Sequence, residues 1–179
     1  MISDQAKKGI DHIFMMSAKS RLALDSGDTC AIEPMKESKL NEMPEKNIVV
    51  LTISSMQFRL LMIFHIDENP ATRAYFVRDA KDKTFGDVFS EVGNLCCGAM
   101  NHELLRHFPH LGMSTPYTLS SQCVAYLGEL KPGYLSRYAI TINGSVQLHA
   151  TLCVCEYAPL DFAVDTTAAQ EETGGLELF

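Results

Sequence analysis

Glu91 and Asn94 stand three residues apart in this sequence, and they are the side chains best placed to do chemistry. The apolar residues around them recur at steps of three and four, which predicts an amphipathic helix. Its apolar stripe is formed by Phe85, Val88, Phe89, Val92, Leu95, Cys96 and Ala99. Because a helix turns by about 100° per residue, Asp87, Glu91, Asn94 and Gly98 fall along one line away from the apolar stripe. We call these four residues the polar ridge. The polar ridge is expected to face solvent or a partner, and Glu91 and Asn94 are its candidate working pair.

Part of the polar ridge has simpler explanations. Thr84 and Asp87 have the spacing of a capping box, so Asp87 is also explained by helix capping and the helix dipole. Glu91 alone would be an ordinary solvated residue of a helix surface. Asn94 is harder to explain, because Asn is a weak helix former that gains nothing in the middle of a helix. A functional interpretation of the polar ridge therefore depends most on Asn94.

Two glycines, Gly93 and Gly98, interrupt the same helix, each at a cost of about 1 kcal/mol relative to Ala. Close packing against another element would explain them. Space for a partner's backbone or phosphate to approach the polar ridge would also explain them. The spacing alone leaves both explanations open.

The elements around this helix predict an α+β domain, with long helices packed on a mainly antiparallel sheet. A first helix runs from Ser3 to about Leu24, a short helix begins at Asn69-Pro70, and the helix of the polar ridge runs from Thr84 to near His107. The strongest hairpin signal is Asn143-Gly144, between two long alternating strands. The predicted strands are 29–33, 47–54, 58–66, 114–118, 121–130, 134–142 and 145–156. Each half is a helix followed by strands, which raises the possibility of an internal duplication.

The chain has 179 residues, and we expect one domain over residues 1–157 and an acidic, mobile tail over 158–179. A net charge of −7 without a basic run argues against non-specific nucleic-acid binding and against an anionic membrane surface. The N-terminus lacks the features of a secretory signal, and no apolar run approaches the length of a membrane span. We therefore expect a cytoplasmic protein.

The remaining candidate residues are six cysteines and three clustered histidines. No Cys-x-x-Cys occurs, so the cysteines are interpreted as small core residues of a protein in a reducing compartment, with a redox or metal role as the alternative. His102, His107 and His110 lack the spacing of a metal site and are interpreted as a solvated helix end. No metal, nucleotide or organic cofactor is expected.

The segment from Asp87 to Gly98 resembles the signature of the CheC/CheX/FliY phosphatases of bacterial chemotaxis. That signature is Asp or Ser, three residues, Glu, two residues, Asn, and then Gly four residues further on. The later stretch Met113–Leu119 resembles the short strand that follows this helix in CheX-like members. The order of helices and strands is also similar, so the resemblance covers roughly residues 3–157.

The resemblance implies a function that periodicity could not provide. Members of this family dephosphorylate the phospho-aspartate of CheY-type receiver domains. Carried onto this chain, Asn94 would orient the attacking water, and Glu91 would hold the receiver by pairing with its active-site lysine. Asp87, Gly98 and Asn101 would contact the partner. Mg²⁺ would come from the receiver, and a homodimer joined through the sheets is expected.

The sequence departs from the family's pattern in two places. Members often have Asn directly after the Gly of the signature, whereas Ala99 follows Gly98 here and the next Asn is Asn101. CheC carries the site on both long helices, but the first helix of this chain offers Lys8 and Asp11 where Glu and Asn are needed. The resemblance therefore implies a single site, as in CheX-like members.

Two other functions stay open at this stage. The same fold could be a non-catalytic module that docks a receiver or another signalling partner, with Glu91 and Asn94 as contact residues only. It could also be a structural subunit related to flagellar-switch proteins, which would self-associate into large assemblies.

Overall fold

The computed structural model describes residues 1–36, 43–78 and 82–165. Within these ranges the α-helices are α1 (Asp4–Leu22), α2 (Pro70–Phe76) and α3 (Phe85–Leu104). The strands are β1 (Cys30–Pro34), β2 (Asn47–Ser54), β3 (Phe58–His65), β4 (Gly112–Met113), β5 (Tyr117–Ser120), β6 (Tyr134–Ile142) and β7 (Val146–Glu156). A 3-10 helix, Ser121–Leu130, joins β5 to β6.

All named strands pair antiparallel in one sheet with the order β1-β6-β7-β3-β2-β4. The short strands β4 and β5 share the outer edge of β2. The hairpin between β6 and β7 turns at Asn143 and Gly144, which both have positive φ, as a tight hairpin turn requires. The predicted α+β fold, with helices on a mainly antiparallel sheet, is confirmed, whereas the internal duplication stays a prediction.

The main core lies between one face of the sheet and the pair α1 and α3. Phe64 of β3 is its centre: the Phe64 ring lies 6.4 Å from Phe14 of α1 and 5.8 Å from Phe89 of α3. All three side chains are fully buried. Because both helices pack on this one face, the outward side of α3 is left for the polar ridge.

The other face of the sheet carries a smaller core under the 3-10 helix. Leu127 is buried there against Ile48, Ile63 and Cys153. We predicted a strand for residues 121–130, and that prediction was wrong. Residues 123, 124 and 127 are the apolar positions that face the sheet. Their spacing suits a helical turn rather than the alternation of a strand.

The C-terminal residues that the structure describes pack against the domain. The Leu160 N–H donates to the Met1 carbonyl at 3.1 Å, and the Ser3 N–H donates to the Leu160 carbonyl at 3.0 Å. Leu160 is buried, and Phe162 lies against Gly9 of α1. Packing therefore continues past residue 157, where we placed the end of the domain. Residues 166–179, most of the predicted tail, lie outside the described residues.

Candidate functional site

The N-terminus of α3 is fixed by the predicted capping box. The Asp87 N–H donates to Thr84 Oγ1 at 3.1 Å, and the Thr84 N–H donates to Asp87 Oδ2 at 3.3 Å. The Thr84 hydroxyl also donates to Asp87 Oδ2 at 2.6 Å. Asp87 lies at the exposed end of the polar ridge, but capping already explains its carboxylate. A contact between Asp87 and a partner stays a prediction.

Glu91 lies one turn further along α3, with a side chain that is 65% exposed. Lys83, just before the first turn, places its Nζ 2.9 Å from Glu91 Oε1 and 3.1 Å from Oε2. Sequence reasoning missed Lys83. Lys83 precedes Thr84, the N-cap of α3, so it lies outside the helix and helical spacing does not predict the pair. The path of the chain before α3 brings the two side chains together.

Asn94 follows Glu91 on the same side of α3 and is partly exposed. Its carboxamide makes no hydrogen bond to any residue that the structure describes, although Asn side chains commonly bond to nearby backbone. A carboxamide has an oxygen acceptor and two N–H donors, so it can orient a water or a partner group without first breaking an internal bond.

The next residue, Leu95, is 55% exposed. We assigned it to the apolar stripe of the helix, and that assignment was wrong. Leu95 lies about 100° further round the helix than Asn94, at the boundary between the stripe and the polar ridge. An exposed Leu beside the polar ridge is available for an apolar contact with a partner.

The two glycines of α3 have different explanations. A Cβ on Gly93 would lie 3.3 Å from Leu51 Cδ1 and 3.7 Å from Val49 Cγ1, both on β2. Gly93 is therefore explained by close packing of α3 on the sheet. A Cβ on Gly98 would meet no atom within 4 Å. Packing does not explain Gly98, and the explanation that remains from the sequence is space for a partner.

Asn101 lies one turn beyond Gly98 and two turns beyond Asn94, and it is partly buried. Its Oδ1 is buried without a hydrogen-bond partner among the described residues. Such an unsatisfied acceptor is uncommon in folded proteins. Because this oxygen is buried, it is not exposed to a partner in this structure, and the predicted contact of Asn101 with a partner stays a prediction.

The corresponding part of α1 is built differently. The Asp11 carboxylate accepts hydrogen bonds from the Tyr134 and Tyr138 hydroxyls of β6, at 2.6 Å from each. Ser136 donates to Asp11 as well, at 3.4 Å. Burial, followed by the neighbouring carboxylate, raises the pKa of both tyrosines above the ordinary value. Asp11 thus ties α1 to the sheet instead of standing free beside Lys8, which supports the expectation of a single site.

Cysteine chemistry is disfavoured by burial. Cys96 and Cys97, which lie between Asn94 and Gly98 in the sequence, are fully buried and free. Burial raises the pKa of Cys97 to about 12 and also raises that of Cys96, so neither is a ready nucleophile. Among residues 1–36, 43–78 and 82–165, no group of three or more His, Cys, Asp and Glu side chains could hold a metal ion.

The fold is similar to that of several solved chemotaxis proteins. CheX from Vibrio vulnificus matches with a TM-score of 0.58 and 15% identity, over 82% of this chain and 99% of that one. A CheC-like protein from Shewanella oneidensis matches with a TM-score of 0.59 and 11% identity, over 83% and 99%. The chain has the CheC/CheX-like fold. The fold that the resemblance implied is thus confirmed.

A third match was solved with a partner. The CheX-CheY-BeF3-Mg²⁺ complex from Borrelia burgdorferi matches with a TM-score of 0.57 and 13% identity, over 82% of this chain and 98% of that one. At these identities the likeness shows the fold alone. No protein-family model matches the sequence, and no curated protein matches it.

Several predictions stay untested by the fold. The working pair Glu91 and Asn94, the receiver's Mg²⁺, the homodimer and the cytoplasmic location are among them. In the described part of the chain, no helix is long and apolar enough to cross a membrane.

Proposed function

We propose that this protein is a phosphatase that hydrolyses the phospho-aspartate of a CheY-type receiver domain in chemotaxis or two-component signalling. The observation that carries the proposal is the Asn94 carboxamide, which makes no hydrogen bond to the described residues. It is held one helical turn from the exposed Glu91 carboxylate, beside Gly98, where no described residue fills the space of a Cβ. The CheC/CheX-like fold and the CheX-CheY complex among its structural neighbours support a receiver as the partner.

The chemistry asks little of the enzyme beyond positioning. Phosphoryl transfer is catalysed mainly by orientation and charge balance, so a neutral carboxamide that directs a water in line with the acyl phosphate is sufficient. Asn94 serves this role because its oxygen accepts a hydrogen bond from the water while the helix holds its backbone rigid. The water then attacks phosphorus, the bond to the aspartyl oxygen breaks, and phosphate leaves.

Glu91 is assigned to docking rather than to the reaction. Its carboxylate would be repelled by the phosphoryl group but would attract an ammonium group such as the receiver's active-site lysine. The i, i+3 spacing lets Glu91 and Asn94 enter one crevice of the partner from a single rigid helix. Mg²⁺ would be supplied by the receiver, and no step is assigned to a metal held by this chain.

The test is the decay of a phosphorylated CheY-type receiver with and without this protein. Wild type is expected to accelerate decay, and Asn94→Ala should reduce the acceleration on the order of 100-fold, the usual cost of losing a positioning group. Glu91→Ala should weaken binding of the receiver. Gln122→Ala is a matched control, because Gln122 is an exposed amide on the other face of the sheet and should leave the decay unchanged.

The outcomes separate this function from the docking module. Binding that weakens in Glu91→Ala, without any acceleration of decay by wild type, would overturn catalysis and leave a non-catalytic module. Self-association into large assemblies with no affinity for receivers would instead favour the structural subunit.

A further inference from the structure

Lys83 forms an ion pair with the Glu91 carboxylate, the group that the proposed function assigns to pairing with the partner. Its Nζ lies within 3.1 Å of both Glu91 oxygens, so the ammonium sits across the whole carboxylate. The two side chains are 49% and 65% exposed, which leaves water free to replace either one. No other ion pair of the described residues involves Glu91.

A second ammonium group cannot join this pair without a cost. Two like charges this close together repel each other, and the repulsion is stronger in the lower effective dielectric near a protein surface than in bulk water. Docking of a receiver lysine on Glu91 would also remove water, which increases that repulsion. The arrival of the partner's ammonium group therefore favours release of Lys83 from Glu91.

We propose that Lys83 is a specificity-determining residue of this site, an internal competitor that is exchanged for the partner's ammonium group on docking. The inference rests on the proposed function, because it needs the partner to present a cation to Glu91. A partner that offers only a cation gains little, since it replaces one exposed ion pair by another. A partner that also contacts Asn94 and Leu95 gains the additional binding energy, so the exchange selects against incidental basic surfaces.

The exchange predicts that removing the competitor tightens binding. The measurement is the dissociation constant of a CheY-type receiver held in its phosphorylated form by beryllofluoride and Mg²⁺. Lys83→Met keeps the length of the side chain without its charge and should bind about twofold to fivefold more tightly, the range expected for one exposed ion pair. Lys83→Arg keeps the pair with Glu91 and should bind like wild type.

Two controls separate exchange from a general effect of charge. Lys7→Met removes the same charge from another exposed pair, Lys7 with Asp4 on α1, and should leave the affinity unchanged. Lys83→Met should give no gain when Glu91 is already Gln, because there is then no carboxylate for Lys83 to occupy.

Each result decides the question. Weaker binding or unchanged affinity in Lys83→Met, with Glu91→Gln still weakening binding, would overturn the role of Lys83 and leave the proposed function intact. A gain that persists with Gln at position 91, or that Lys7→Met reproduces, would overturn the exchange in favour of long-range electrostatics. If no receiver binds and Glu91→Gln changes nothing, the proposed function fails, and this inference fails with it.

Discussion

The two long helices, α1 and α3, lie together on the same face of the sheet, but they use corresponding positions differently. On α3 the positions hold Glu91 and Asn94, whose side chains reach solvent and leave the carboxamide unbonded among the described residues. On α1 they hold Lys8 and Asp11. Asp11 there accepts hydrogen bonds from three hydroxyls of β6.

The difference lies in where the polar group finds its partners. Asp11 is satisfied within the fold, so its bonds contribute to stability and are unavailable to another molecule. Asn94 makes no hydrogen bond to the described residues. Gly98 weakens the same helix relative to Ala, and no packing against the described residues explains it. At these positions, therefore, α1 is tied to the sheet through Asp11, whereas α3 leaves Glu91 exposed and Asn94 partly exposed.

The largest effect expected from this comparison is a loss of stability in the variant Asp11→Ala. Asp11→Ala removes the acceptor of Tyr134 and of the fully buried Tyr138. It should lower the free energy of unfolding by about 2 kcal/mol, because buried hydroxyls then lose their partner. Urea denaturation measures the change. Asp11→Asn keeps an acceptor oxygen and should cost clearly less.

The same denaturation experiment on Glu91→Gln provides the contrast. Glu91 is largely exposed, and surface ion pairs contribute little, so the change should stay below about 0.5 kcal/mol. A large loss of stability in Glu91→Gln, or none in Asp11→Ala, would contradict the division between the two helices.

The next largest effect is a difference in stability between alanine variants of the two glycines of α3, Gly93 and Gly98. Gly98→Ala should raise the free energy of unfolding by about 1 kcal/mol, because Ala is the better helix former and its Cβ meets open space. Gly93→Ala should bring no such gain, since its Cβ presses on Leu51 of β2. Denaturation midpoints compare the two variants directly.

Receiver binding then separates the two explanations of Gly98. If Gly98 provides space for a partner, the more stable Gly98→Ala variant should bind a phosphorylated receiver more weakly than wild type does. Unchanged affinity in this variant would show that the glycine is unrelated to docking.

The smallest effect is expected from moving the working pair to α1. The double change Lys8→Glu and Asp11→Asn, made in the Asn94→Ala variant, should not restore the decay of a phosphorylated receiver. The introduced Asn would lie among the hydroxyls of Tyr134 and Tyr138 rather than beside solvent. Decay measured at equal protein concentrations tests this, and restored acceleration would mean that both helices are equally available to a receiver.

Features that depend on neighbouring residues were predictable from the sequence. Ser3, Asn69 and Thr84 were identified as the residues that begin the three α-helices, and each side chain accepts the expected backbone hydrogen bond. Helix geometry alone placed Glu91 and Asn94 on one side of α3. The hairpin at Asn143 followed from turn chemistry.

Short apolar segments at the margins of these patterns were not predicted correctly. Leu95 lies at the edge of the apolar stripe, where burial depends on what packs beside the helix, and no element covers it enough to bury it. Residues 121–130 were assigned to a strand, whereas their packing on the other face of the sheet favours a 3-10 helix. Such segments suit either structure until a neighbouring surface selects one.

By itself, the sequence determined the helices, their caps, the hairpin and the polar ridge, because each depends on residues within a turn or two. Only the tertiary structure decided which polar groups are free. Asp11 meets Tyr134 across more than a hundred residues of chain, Lys83 reaches Glu91 through a non-helical path, and Gly98 borders open space. Hydrogen bonds and ion pairs require atoms within about 3 Å, and the folding of distant segments, not their spacing in the chain, brings those atoms together.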